Sequence, residues 1–187
     1  MEKIIFHKET KTFHLYNEEI SYIMCVLENG HMGQLYYGKR IHDKPDFTYL
    51  VEKCGRPMTS YIFEGDRSFS LEHIRQEYPV YGTTDYRHPA IEIMQENGSN
   101  ISEFKYVGYE ILKGKPSLKG LPATYTESEE EAETLKIILK DNLTGAKLTL
   151  LYTIFSKKGI DIIISFGSGR SGRSSFGILL RKSVEEH

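Results

Sequence analysis

Tryptophan is absent from this chain of 187 residues, and cysteine occurs only twice, at Cys25 and Cys54. Two thiols cannot build a disulfide framework, and they fall short of the roughly four ligands at close spacing that a structural metal site needs. His7, His14, His31, His42, His73 and His88 show no ligand spacing either, so neither a metal nor a cofactor is expected. An excess of one charge is also missing: 24 Lys and Arg stand against 26 Asp and Glu, a net of −2. Such a balance creates no field that draws nucleic acid or an anionic membrane. No apolar run approaches membrane length, and the opening MEKIIFHKETK lacks the apolar core of a secretion signal. The expectation is a cytoplasmic protein with reduced thiols and without nucleic-acid or membrane partners.

What is present is a series of short alternating segments separated by turn residues. Thr12 to Tyr16 and Ile20 to Leu27 alternate, the second ending at Glu28-Asn29-Gly30, and Gln34 to Tyr37 follows. Asn-Gly between apolar runs is a hairpin signal, because glycine accepts positive φ without steric cost. The pattern recurs at Ala90 to Gln95, at Ser102 to Leu112, and at Thr134 to Leu139. It continues at Lys147 to Phe155 and ends with the apolar Ile160 to Ser165. Tyr and Phe number 13 and 9, and both suit half-buried pleated surfaces. The spacing predicts an all-β, mostly antiparallel β-sandwich over residues 1–165, with one brief helical stretch at Ser70 to Glu77. From 166 to 187 the texture turns Gly/Ser/Arg-rich, as in GSGRSGRSSFG, which predicts a tail without regular structure.

The stretch from Phe69 to Ala90, FSLEHIRQEYPVYGTTDYRHPA, concentrates aromatic, charged and turn-forming residues. A hydrophobic core does not need that mixture; a segment fitted to a fixed partner does. Arg75, Glu77, Asp85 and Arg87 can brace a sugar site or form ion pairs that pin the segment, and the second reading is preferred. Tyr78, Tyr81 and Tyr86, like Tyr36 and Tyr37, can stack on sugar rings or serve a core and an interface, and again the packing role is preferred. Thr83-Thr84-Asp85 reads as a side-chain-capped turn. The loop around Gly114-Lys115-Pro116 lacks the Gly-Lys-Ser/Thr ending and following helix of a phosphate loop.

The same stretch resembles the N-terminal domain of family 36 glycoside hydrolases, the microbial α-galactosidases. Further blocks extend the resemblance from about Phe13 to about Ile163: QLYYGKRI at Gln34 to Ile41, ENGS at Glu96 to Ser99, and KGKPSLKGLPATY at Lys113 to Tyr125. EEAETLKIIL at Glu130 to Leu139 and LTLLYTIF at Leu148 to Phe155 complete the series. Single blocks carry little; their order in series is specific.

The resemblance implies a β-sandwich in front of a (β/α)₈ barrel. The barrel removes terminal α-galactose from melibiose- and raffinose-type sugars with retention, using two aspartates about 5–5.5 Å apart. Those aspartates lie beyond this chain, so no residue here is expected to be catalytic, and Asp66 and Asp85 are not assigned that role. Sugar partners would be reached only through the barrel. The resemblance also implies a homo-oligomer in which a loop near Asp46 to Arg56 faces a neighbouring subunit's substrate pocket. Glu52, beside Val51, is the candidate there. Arg75, Glu77, Tyr78, Tyr81, Asp85, Tyr86 and Arg87 are the candidates for contact with barrel or subunit. After Ile160 to Ile164 the sequence departs from the family pattern, and a frameshifted or truncated reading frame is the expected cause. The other reading is a free-standing carbohydrate-binding or oligomerisation module.

Overall fold

A computed structural model of the chain describes residues 3–55, 57–117, 126, 128–156 and 159–164, with the backbone alone at 165–167 and 176–182. The first sheet is an antiparallel meander of β1 (Ile4–His7), β2 (Thr12–Tyr16), β3 (Ile20–Val26) and β4 (Met32–Lys39). The second is a meander of β5 (Phe104–Lys113), β6 (Ala132–Asp141), β7 (Lys147–Phe155), β8 (Ile160–Gly167) and β9 (Phe176–Lys182). Gly30, at φ +87°, closes the β3–β4 hairpin where the Asn-Gly signal puts it.

Alternation decides which side chains meet. In the first sheet Phe13, Leu15, Ile20, Tyr22 and Met24 face the second, which answers with Leu135, Ile137, Leu148, Leu150, Tyr152, Ile154 and Ile162 in one buried cluster. Fully burying such a side chain stabilises by about 1.5–3 kcal/mol. The fold is therefore the all-β sandwich that the pattern predicts. A bulge modifies the alternation: Ile23 pairs with Tyr36 but Met24 with Gln34, so Leu35 is the extra residue. Parity switches there, and Gln34 and Tyr37 both turn toward Tyr22, to which Gln34 Nε2 donates at 3.0 Å.

The opposite face of the first sheet is also buried. Ile23, Cys25, Leu27 and Leu35 pack under Phe47, Phe69, Leu71 and Ile74, all from residues 40–103 between β4 and β5. This stretch holds one 3₁₀ turn, Thr48–Leu50, and isolated bridges, and its described residues form no strand. Irregular connections of this length in a compact domain are uncommon and usually functional.

Three expectations change. Ala90 to Gln95 is not a strand, since Ile91 makes only a bridge to Val80, although Ile91 and Ile93 do pack on the core. Ser70 to Glu77 is a single turn with Ile74 N donating to Ser70 O, after which the chain leaves to bond β4. The expectation of a structureless 166–187 is corrected at Phe176–Lys182, which pairs antiparallel with β8 from Ile160↔Lys182 to Phe166↔Phe176. The unpaired edge of β8 supplies hydrogen-bonding groups that a composition count does not register. Residues 168–175 and 183–187 lie outside the described residues, as do 118–125 of the KGKPSLKGLPATY block. No helix among the described residues is long and apolar enough to cross a membrane.

Candidate functional site

The segment 69–90 fastens itself to the free edge of β4. Gln34 N donates to Arg75 O and Glu77 N to Met32 O, both at 2.9 Å, so three residues act as a short extra strand. Glu77 turns inward, while Arg75 is largely solvent-facing, its side chain 68% exposed. The Glu77 carboxylate then meets both sheets: it accepts from the Tyr22 hydroxyl at 2.8 Å on each oxygen and from the Tyr152 hydroxyl at 2.7 Å. Burial, followed by the Glu77 charge, pushes both phenols well above their ordinary range. Tyr78 and Val80 continue into the main core.

Beyond Val80 the chain makes a tight turn closed by Gly82 N to Asp85 O at 2.8 Å and Asp85 N to Gly82 O at 3.0 Å. Its two central residues, Thr83 and Thr84, sit at φ +49° and +77°. Asn-Gly is the usual occupant of such a turn, because β-branched residues are strained at positive φ. Gly82, at φ +112°, is required: a Cβ there would lie 2.7 Å from Ile101 Cγ2.

The strain is held by a polar cradle. Asp85, 1% exposed, accepts from Arg87 Nε and Nη2, both at 2.8 Å, and from Gln76 Nε2 at 2.7 Å. Arg87 Nη2 also donates to Leu71 O at 2.8 Å, and Thr84 Oγ1 accepts from Leu71 N at 3.2 Å. The hydrogen-bonded Asp85 raises the Arg87 guanidinium further above its ordinary value. Asp85→Asn is expected to cost about 2 kcal/mol, since it replaces charge-assisted bonds by neutral ones and turns an amide N–H₂ toward donors. A denaturant midpoint measured at unchanged slope checks it.

The sequence candidates thus separate. Asp85 and Arg87 form one unit. Arg75 pairs instead with Glu52, at 3.7 Å between exposed side chains, a geometry of little energetic weight. Glu77 belongs to the interior, and Tyr78 to the core. Tyr81 and Tyr86 meet edge to face at 5.5 Å, with Tyr86 62% exposed. Asp66 accepts from Ser68 N and Oγ in a local turn. Sequence reading misses Gln76, Tyr22 and Tyr152; the only signal for Gln76 is its place between two charged residues in an alternating stretch. Among the described residues no group of three His, Cys, Asp or Glu is arranged to hold a metal. A cleft of about 760 Å³ opens at one end of the sandwich, lined by Lys3, Tyr16, Glu18, Arg40, Lys113 and Glu130 among others, and none of the sequence candidates lines it.

Comparison with known proteins places this geometry. The chain is 42% identical over 154 residues to the α-galactosidase AgaA of Geobacillus stearothermophilus, covering 82% of this chain and 21% of that one. It is 33% identical over 158 residues to an α-galactosidase of Lactobacillus acidophilus, covering 84% and 21%. The α-galactosidase from Lactobacillus brevis superimposes with a TM-score of 0.82 at 36% identity, over 87% of this chain and 22% of that one. The chain spans about a fifth of the length of these relatives. Because the glycosyl hydrolase family 36 N-terminal domain matches residues 30–165, from the β3–β4 turn to β8 and across the whole irregular segment, this chain belongs to that family.

Proposed function

We propose that this chain serves as the non-catalytic N-terminal domain of an α-galactosidase that hydrolyses terminal α-galactosides with retention, the two carboxylates lying in a barrel outside these residues. The observation that carries the reading is the match to an N-terminal domain, together with alignments that span about a fifth of several α-galactosidases. Structures of substituted variants of the Geobacillus enzyme have been solved in complex with raffinose and with stachyose, which supports galactosides of that type as the sugars. The irregular segment is the contact surface in this reading. Tyr49, Met58, Tyr61, Tyr86, Met94 and Ile101 are large, exposed and all drawn from it. Arg75, Tyr81, Tyr86 and Arg87 face the barrel or a second subunit of a homo-oligomer, Glu52 faces the substrate pocket of a neighbouring subunit, and Glu77, Tyr78 and Asp85 hold the surface from within. The two thiols, Cys25 buried and Cys54 exposed, are unpaired, which supports a cytoplasmic setting.

A second reading, a free-standing carbohydrate-binding or oligomerisation module, draws on β9, which extends the second sheet beyond β8. One experiment separates the two. The purified chain is expected to leave an aryl α-galactoside unhydrolysed above background, since binding alone cannot lower the barrier as far as glycoside cleavage needs. Titration with raffinose is expected to give no saturable signal. Saturable binding without turnover would favour the module. Turnover that is lost on Asp66→Asn or Asp85→Asn in a folded variant would overturn both readings.

A further inference from the structure

We propose that Asp43, gripped by His7 and His14, is an acid-released latch that fixes the start of the irregular segment 40–103 against the first sheet. Asp43 Oδ1 lies 2.7 Å from His14 Nδ1 and 3.0 Å from His7 Nε2. A carboxylate oxygen only accepts, so both of those ring nitrogens carry hydrogen. On its other side His14 Nε2 lies 2.9 Å from Ser21 Oγ, which itself accepts from Ile41 N at 3.0 Å. With its hydrogen on Nδ1, a neutral His14 offers the Nε2 lone pair to the Ser21 hydroxyl. The result is a one-way chain: Ile41 N–H to Ser21, Ser21 O–H to His14, His14 N–H to Asp43. It begins and ends on the same short stretch after β4, with β3 and β2 supplying Ser21 and His14, and His7 of β1 joins it at Asp43.

This arrangement has no place for a second proton on His14. An Nε2–H would face a hydroxyl whose own hydrogen then loses its acceptor, and both His14 and Ser21 are fully buried. An unsatisfied donor in that position is costly. The charged and titratable groups around the ring are Asp43, His7, Arg40 and Tyr16, whose ring lies 5.1 Å from that of His14 with the Arg40 guanidinium over it. Phe47 meets His14 edge-on at 5.5 Å and excludes water from that side. Burial, aided by His7 and Arg40 and opposed by Asp43, holds His14 below its ordinary 6.5. A group lowered in the latched state binds its proton more readily when released. The latch is therefore at full strength above 6.5 and weakens as pH falls below it. Asp43, whose hydrogen bonds to His14 and His7 lower it against its own desolvation, fails only in much stronger acid. Thr10 Oγ1 to Pro45 O, at 3.3 Å, is a further tie, and a weak one, while Phe47 is fixed in the buried cluster, so release loosens residues 41–45.

The Ile41 amide reports the latch directly. In the 187-residue chain, its hydrogen-exchange protection, corrected for intrinsic rates, is expected to fall by up to about tenfold per pH unit below the free histidine value. The Arg40 amide, bonded to Glu19 O at 2.8 Å, serves as the control and should stay flat. Nitrogen NMR at about pH 7.5 should find His14 as the neutral Nδ1–H tautomer. Asp43→Asn should leave Ile41 weakly protected at every pH. Parallel behaviour of Ile41 and Arg40, or an Nε2–H tautomer of His14, would overturn the proposal. Both readouts come from the unmodified chain, so they decide even where the variant does not fold.

Discussion

Lys115→Ala is expected to destabilise the chain by about 3–5 kcal/mol, several times what the loss of an exposed ion pair costs. Lys115 leaves β5 through Gly114 and crosses the outer face of the second sheet, where its ammonium lies 2.7 Å from Asp161 Oδ2 on β8. The side chains are 5% and 2% exposed, and the ammonium also sits 5.5 Å from the centre of the Phe155 ring. Such a pair contributes little net stability relative to apolar residues of the same shape, because desolvating two charges offsets their attraction. Removing the ammonium is different, since it takes the Lys115 bond from a buried carboxylate while the cost of desolvating that charge remains. The joint replacement Lys115→Met with Asp161→Leu should accordingly recover most of the loss. Urea midpoints for the two single variants and the double variant form the cycle that reads this. A loss below about 1 kcal/mol for Lys115→Ala would mean that the pair is solvated.

Glu77→Ala should cost nearly as much, about 3–4 kcal/mol, because it strips a charge-assisted acceptor from two hydroxyls at once. Tyr22 belongs to the first sheet and Tyr152 to the second, so the carboxylate ties the two layers together as well as closing the β4 edge. In a domain of this size the loss corresponds to roughly 10 °C in Tm. Tyr152→Phe alone should cost about 1.5–3 kcal/mol, and its effect should largely vanish in the Glu77→Ala background. The raised phenols add a pH dependence. Protonated Tyr22 and Tyr152 are favoured by the folded state, so their contribution is intact below the ordinary tyrosine value of 10.0 and declines as pH rises above it. Burial is the larger cause of those raised values, so Glu77→Ala should leave most of the alkaline decline in place, whereas Tyr152→Phe should lessen it. An alkaline profile unchanged in Tyr152→Phe would refute the assignment.

Much of the sandwich was legible because burial on one face imposes a period of two. Lys147 to Phe155 alternates over its first half, runs apolar through Leu150, Leu151 and Tyr152, and becomes β7 with those same ends. Ala90 to Gln95 alternates as well and does not become a strand. Its isoleucines reach the core, but its backbone makes only a bridge, Ile91 to Val80, among the described residues, and alternation records only the first of these facts. Ser70 to Glu77 has helical spacing for a single turn, yet the unpaired groups of β4 capture Arg75 and Glu77. Phe176–Lys182 is the converse: a strand hidden behind a Gly/Ser/Arg run, formed because β8 offers it an edge.

The site divides along the same line. Asp85 and Arg87 stand two residues apart, so their pairing is local and readable from residue order. Glu77 meets tyrosines 55 and 75 positions away, and Asp43 meets a histidine 29 positions away. Residue order alone carries the all-β class, the Asn-Gly hairpin, the serial blocks of the family, and the preference of each side chain for water or core. Which carboxylate meets which partner is settled in three dimensions. A single extra residue such as Leu35 inverts the parity of a strand, and a free edge or a packed face selects partners from anywhere along the chain. Those choices depend on distances between segments, which local pattern does not encode.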